Sequence, residues 1–101
     1  MNKEQIKKTL SEAIKNSKLR DSVEKASLFG SYVRGEESSE SDIDVLIEFK
    51  PDANIGLFEF VRLQRFLGES MGRKVDLLTP ESISKFFREK VLNEAEIIYE
   101  R

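Results

Sequence analysis

Three aspartates carry the chemistry that this sequence offers. Asp42 and Asp44 open an apolar segment, residues 42–49, in which Ile43, Val45, Ile47 and Phe49 alternate with Asp42, Asp44, Leu46 and Glu48. Side chains at i and i+2 of a strand leave the same face. The two carboxylates therefore project together, within reach of one hard cation. Like charges that close repel, and each raises the other's pKa unless a cation lies between them. Asp76 is the one charged residue between Val75 and the leucines Leu77 and Leu78. If that segment is a strand beside the first, its carboxylate can join the same face. Three converging carboxylates make an oxygen-only site for one or two Mg²⁺ ions. Each aspartate taken singly also has a plainer reading, as part of a solvated strand face or as a residue near a strand end. Asp is depleted inside strands, however, so an apolar strand that opens on two aspartates asks for a reason.

A second feature lies ten residues upstream. Gly30-Ser31 follows a short apolar run and precedes a possible helical turn. Glycine allows close backbone approach, and amides at a helix start attract phosphate. The Ser31 hydroxyl can add a hydrogen bond. A Gly-Ser pair alone marks no more than a turn; its value here is the spacing, which lets the chain return to the start of the neighbouring strand at Asp42. Arg34, one turn after Ser31, can face a phosphate or pair with Glu36, Glu37 or a nearby aspartate. Ser41 can orient Asp42 or simply finish the loop.

Composition narrows the alternatives. The 101 residues contain neither Cys nor His, which removes thiolate and imidazole metal sites and His-activated nucleophiles. Any metal must take oxygen ligands, so Mg²⁺, Mn²⁺ or Ca²⁺. The 17 basic and 19 acidic residues give a net charge of −2, with the basic ones scattered. Nucleic acid is therefore a weak candidate for the main partner. No apolar run is long enough to cross a bilayer and no signal-peptide core is present, so a cytoplasmic location is the expectation. The length suits one domain, residues 1–101, with a modest core and no deep pocket for two substrates.

The elements that must position these residues can be read from periodicity. Residues 3–18 predict an amphipathic helix through Ile6, Leu10, Ala13 and Ile14. Residues 25–29 predict a strand, 31–35 a helical turn stopped by Gly35, and 36–40 a polar loop. Residues 42–49 give the best strand. A second long helix spans 57–70, with Leu57, Phe60, Val61, Leu63 and Leu67 on one face, Phe58 and Phe66 off its centre, and Gly68 and Gly72 at its end. Residues 74–78 predict a third strand. Thr79 as N-cap and Pro80 at the first position open a last helix whose apolar side is Ile83, Phe86, Phe87 and Leu92. Residues 95–99 either continue it or form a further strand. The result is an α/β (α+β) domain with a small mixed three-stranded sheet and helices packed on it. Strands one and two should be antiparallel, strands two and three parallel.

The run Leu28-Phe29-Gly30-Ser31-Tyr32-Val33-Arg34-Gly35-Glu36, followed by Ser41-Asp42-Ile43-Asp44-Val45-Leu46-Ile47, resembles the minimal nucleotidyltransferases of the DNA polymerase beta-like superfamily. The resemblance covers nearly the whole chain, and implies the palm-like nucleotidyltransferase fold. It implies that Gly30 and Ser31 cradle a triphosphate, with Arg34 beside them. It makes Asp42, Asp44 and Asp76 the catalytic metal ligands, with Asp76 placed to help deprotonate an acceptor hydroxyl. The implied reaction moves a nucleoside monophosphate, AMP from ATP, to a hydroxyl and releases pyrophosphate. Three carboxylates and ATP carry roughly −7 and two Mg²⁺ ions +4, leaving about −3 for cations such as Arg34, Arg73 and Lys74 to offset.

The acceptor-binding domain of larger relatives is missing, so the acceptor is expected on another protein. Minimal nucleotidyltransferases of this kind resemble antitoxins paired with HEPN-type toxins, and a toxin tyrosine is the acceptor the resemblance implies. Phe58 and Phe66, if exposed, can belong to such an interface, and homo- or hetero-oligomers are both open. Two alternatives stand beside this reading. One is a non-catalytic nucleotide-binding module that neutralises its partner by contact; the other is transfer to a small molecule.

Overall fold

A computed structural model describes residues 2–36 and 41–101. Most of the polar loop expected over 36–40 lies outside the described residues. Helix α1 spans Lys3–Asn16. Asn2 and Gln5 start it with a reciprocal capping box: Asn2 Oδ1 accepts from the Gln5 amide at 2.8 Å, and Gln5 Oε1 accepts from the Asn2 amide at 2.9 Å. Its four anticipated apolar residues, Ile6, Leu10, Ala13 and Ile14, are all buried. The helix stops two residues short of the expected end, where the Ser17 amide caps the Ile14 carbonyl.

Strand β1, Val23–Phe29, is two residues longer than its apolar run suggested. It leads into the four-residue helix α2, Ser31–Arg34, which Gly35 closes in the left-handed conformation. Strand β2, Ile43–Phe49, begins just after Asp42. Helix α3, Leu57–Met71, ends at Gly72, whose φ of 66° suits a left-handed C-cap. Gly68 does not mark the helix end: it lies inside α3, where a Cβ would sit 3.2 Å from the Arg73 carbonyl oxygen. Its role is close approach of the chain that turns back into strand β3, Val75–Leu78.

The start of the last helix differs from the expectation. Thr79 and Pro80 satisfy local cap rules, yet they form only a 3₁₀ turn over Pro80–Ser82. Helix α4 runs over Lys85–Glu94 behind a second cap, Ser84, whose hydroxyl accepts from the Phe86 amide at 3.4 Å. Ala95 is extended, and Glu96–Glu100 form strand β4. The sheet therefore has four strands, not three, in the order β3-β2-β1-β4. The added strand follows from the β-prone run Ile97-Ile98-Tyr99, which pairs antiparallel with β1. The other pairings match expectation: β1 with β2 antiparallel, β2 with β3 parallel.

One core sits between the sheet and the helices α1 and α3. It joins Ile6, Leu10 and Ile14 to Leu63, Leu67 and Met71, and to Ile43, Val45 and Ile47 of β2. Glu96 ties β4 to α1 through Lys3 at 3.0 Å and Lys7 at 3.2 Å. At the other edge, the Leu77 amide donates to Gln64 Oε1 of α3 at 2.9 Å. No described helix is long and apolar enough to cross a membrane.

Candidate functional site

Strand parity decides where the carboxylates go. Because Ile43, Val45 and Ile47 face the core, Asp44 faces the opposite side of the sheet. Asp42, two residues earlier, has the same parity. In the sheet register Asp44 lies between Phe29 of β1 and Asp76 of β3. The sequence expectation that Asp76 could stand beside Asp44 is met at the level of strand register.

Gly30 closes the site on the β1 side. Its φ of 78° and ψ of −147° suit glycine alone, and a Cβ there would collide with the Asp44 carboxylate. The turn and the aspartate approach as closely as the backbone allows. Ser31 follows as the first residue of α2, half-buried and next to this contact.

The electrostatics follow from this crowding. Burial pushes the Asp44 carboxyl above its ordinary pKa, and the charges of Asp76 and Asp42 push it further. Arg34 opposes them. The four groups thus share one neighbourhood. Arg34 nevertheless spends its own donors elsewhere. Its Nε pairs with Glu36, the plainer of the two readings of this residue, and its Nη1 lies 3.5 Å from Glu94 Oε2. Its pKa is raised, chiefly by the hydrogen bond to Glu36. The Glu94 contact has no signal in sequence, because it joins α2 to the end of α4, sixty residues on.

Lys74 Nζ stands 3.5 Å from Asp42 Oδ2. Arg73 turns away: its guanidinium lies over the Tyr32 ring, 5.2 Å from the centroid, and it donates to the Ser41 carbonyl. That cation–π and hydrogen-bond pair anchors the residue before Asp42. Tyr32 is buried at 3 % exposure, and its hydroxyl has no partner among the described residues. The Ser41 carbonyl is thus tied to Arg73.

The donor set suits a hard divalent cation, since every candidate ligand is a carboxylate oxygen. Among the described residues no three carboxylates are already gathered as a closed metal cage. Asp42 leans to Lys74, and Asp44 is held by burial and by the charges of Asp76 and Asp42. A groove of about 410 Å³ between the end of α1 and α3, lined in part by Leu19, Leu63 and Phe66, lies on the helical layer and includes none of these aspartates.

Residues 4–98 match the family described as Nucleotidyltransferase domain. A Methanocaldococcus jannaschii protein, named provisionally as a protein adenylyltransferase, is 44 % identical over 77 residues, which cover 76 % of this chain and 81 % of that one. A solved structure named provisionally as a minimal nucleotidyltransferase superimposes with a TM-score of 0.75 at 30 % identity, over 94 % of each chain. A further likeness, of fold alone, is to a complex from Shewanella oneidensis described as a tri-AMPylated HEPN toxin with its MNT antitoxin. It has a TM-score of 0.67 at 19 % identity, over 98 % of this chain and 73 % of the other.

Proposed function

The chain belongs to the nucleotidyltransferase-domain family, and on that premise we propose that it transfers AMP from ATP to a tyrosine hydroxyl of a HEPN-type toxin, acting as its antitoxin. The observation that carries the chemistry is the register of Asp44 against Asp76, closed by the Gly30 contact. Support for a protein acceptor comes from the relatives' names and from the AMPylated toxin in the Shewanella oneidensis complex.

Asp42, Asp44 and Asp76 would hold one or two Mg²⁺ ions. When bound, Mg²⁺ supplies charge neutralisation on the phosphates and the leaving group. Gly30 leaves room for the Asp44 carboxylate to lie against the backbone, and the Gly30-Ser31 turn would meet the triphosphate beside it, with Ser31 contributing a hydroxyl. Arg34, already near Asp44, is the cation best placed to meet phosphate charge once it exchanges a carboxylate partner. In the transfer the acceptor oxygen bonds to the α-phosphorus as the bond from phosphorus to the pyrophosphate oxygen breaks. Pyrophosphate leaves with the electron pair, and Asp76 takes the acceptor's proton. A cation between the carboxylates would bring down the raised pKa of Asp44.

The test is the intact mass of the HEPN-type partner after incubation with this chain, ATP and Mg²⁺. A gain of one or more AMP units, absent with Asp42→Asn, is the expected result. An unchanged mass with a stable complex would favour neutralisation by contact instead.

A further inference from the structure

Two side chains from late in the sequence reach helix α2. One is Glu94, at the end of α4, whose Oε2 lies 3.5 Å from Arg34 Nη1. Helix α4 is a weak footing for that pair. It buries none of its ten residues, and Phe86, Phe87 and Leu92, expected to give it a packed apolar side, are exposed instead. The other is Arg73, in the turn between α3 and β3, and its footing is firm. Its amide donates to the Gly68 carbonyl at 3.2 Å, and Gly68 lies so close to the Arg73 carbonyl that only glycine fits without a shift. One residue on, the Lys74 carbonyl accepts from the Ile43 amide at 3.0 Å, where β2 and β3 begin to pair. The root of the Arg73 side chain is thereby fixed to α3 and to the sheet. Its guanidinium, over the Tyr32 ring and donating to the Ser41 carbonyl, touches two further segments. Tyr32 is 3 % exposed and belongs to the core cluster, so its ring is a fixed platform. Tyr32 follows Ser31, and Ser41 precedes Asp42. One planar cation thus grips the chain just after the Gly30-Ser31 turn and just before Asp42, and Asp76 lies three residues beyond it.

We propose that Arg73 is a positioning residue for nucleotidyl transfer, which holds the Gly30-Ser31 turn and Asp42 in register with one another and does not itself meet phosphate charge. The inference rests on the reading of the site given above. It also replaces the sequence expectation that Arg73 offsets the charge of the triphosphate. The arrangement asks for an arginine and not only for a positive charge. A guanidinium offers its face to the ring and its edge to the carbonyl at the same time, and an ammonium has no plane with which to do both. Groups that act together must also be held closely: a misplacement of about 1 Å costs on the order of a hundredfold in rate.

The test compares wild type with Arg73→Lys, Arg73→Met and Tyr32→Phe in the full chain. Amide hydrogen exchange at Val33 and Arg34, both bonded to the Gly30 carbonyl at 3.1 Å, reads the order of α2 without any substrate, and the buried Leu10 of α1 is the control. Calorimetry with ATP and Mg²⁺ reads nucleotide affinity, and transfer to the HEPN-type protein of its own host reads kcat and KM. Arg73→Lys and Arg73→Met should behave alike. In both, exchange at Val33 and Arg34 should quicken by about tenfold and kcat should fall by about tenfold or more, with exchange at Leu10 and the affinity for ATP little changed. Tyr32→Phe keeps the ring and loses a hydroxyl that has no partner among the described residues, so it should match wild type. Wild-type exchange and kcat in Arg73→Lys overturn the proposal. So does an active Arg73→Lys beside an Arg73→Met that has lost ATP affinity, since Arg73 would then act as a charge on the phosphates. Exchange at Leu10 that quickens in step with α2 also overturns it, because the residue would then support the whole fold and not the site. A Tyr32→Phe variant as impaired as Arg73→Lys would transfer the role to the hydroxyl and overturn it too. If wild type transfers no AMP, the reaction proposed above fails, while exchange at α2 still decides whether Arg73 holds the turn.

Discussion

The two faces of β2 were built for different ends. Toward α1 and α3, Ile43, Val45 and Ile47 are fully buried in a continuous apolar cluster. On the other face, Asp44 stays partly open, and burial first, then the charges of Asp76 and Asp42, push its pKa above the ordinary value. The helices repeat the contrast: α1 buries four residues, α4 none. A period of two sends neighbouring residues of one strand to opposite sides, Ile43 and Val45 to the core and Asp44 to the proposed site. Changes on the core face should cost folding; changes to the carboxylates should cost transfer and spare folding, whereas Leu46, buried on the same side of β2 as Asp44, belongs with the core.

The largest expected effect lies on the carboxylate face. Asp42→Asn should lower Mg²⁺-dependent AMP transfer by about a thousandfold, roughly 4 kcal/mol of barrier, with little change in Tm. Full activity in that variant would remove the carboxylates from the mechanism. On the core face, Leu10→Ala should cost about 2–5 kcal/mol in urea denaturation, the usual range for a buried leucine. A loss under 1 kcal/mol would mean that the apolar face is not the seat of stability.

Gly30→Ala tests the seam between the two. The left-handed φ and the collision with Asp44 should cost about 1–3 kcal/mol and distort the site, so stability and transfer fall together. Asp44→Asn should do the reverse of a core change. The folded-state pKa of Asp44 is raised, so the native state holds its proton more firmly than the unfolded chain does. Stability therefore falls as pH rises through that pKa, and ionised Asp44 is a burden at neutral pH. The variant should show a higher Tm than wild type at pH 7 without metal, with the gap closing in acid, while transfer is lost. A lower Tm at pH 7 would contradict the crowding.

The smallest effect belongs to Glu96→Gln. Lys3 and Lys7 hold this carboxyl below its usual pKa, so its contribution is in place above the ordinary Glu range and lost as pH falls through the lowered value. The pair is partly exposed and screened, and about 0.5 kcal/mol is the expected cost in denaturation at neutral pH, vanishing at high salt.

The parts of the fold that the sequence reveals are those governed by local period. The helix through Ile6 and Leu10, the strand through Ile43 and Val45, and the shared side of Asp42 and Asp44 all follow from spacing. The element at Glu96–Glu100 could not be decided, because no Gly or Pro separates it from α4 and its pairing with β1 is a contact seventy residues away. Thr79-Pro80 misled for a related reason: it obeys the cap rules as well as Ser84 does, and the choice between them rests on Arg88 reaching back to the Pro80 and Ile83 carbonyls. In the site, Gly30, Ser31 and the three aspartates were legible as types at intervals. Glu94 was not, since its meeting with Arg34 depends on where α4 ends, and neither was the posture of Arg73 over Tyr32.

Gln64 bears on how the molecule behaves when many copies are present. Strand β3 lies at the rim of the sheet, and a rim strand with outward amides invites another chain to zip onto it. The Leu77 amide is already taken by the Gln64 side chain, so that invitation is withdrawn from within. Gln64 thereby acts against fibre formation, and its loss would first be noticed on the shelf, as turbidity in a concentrated sample.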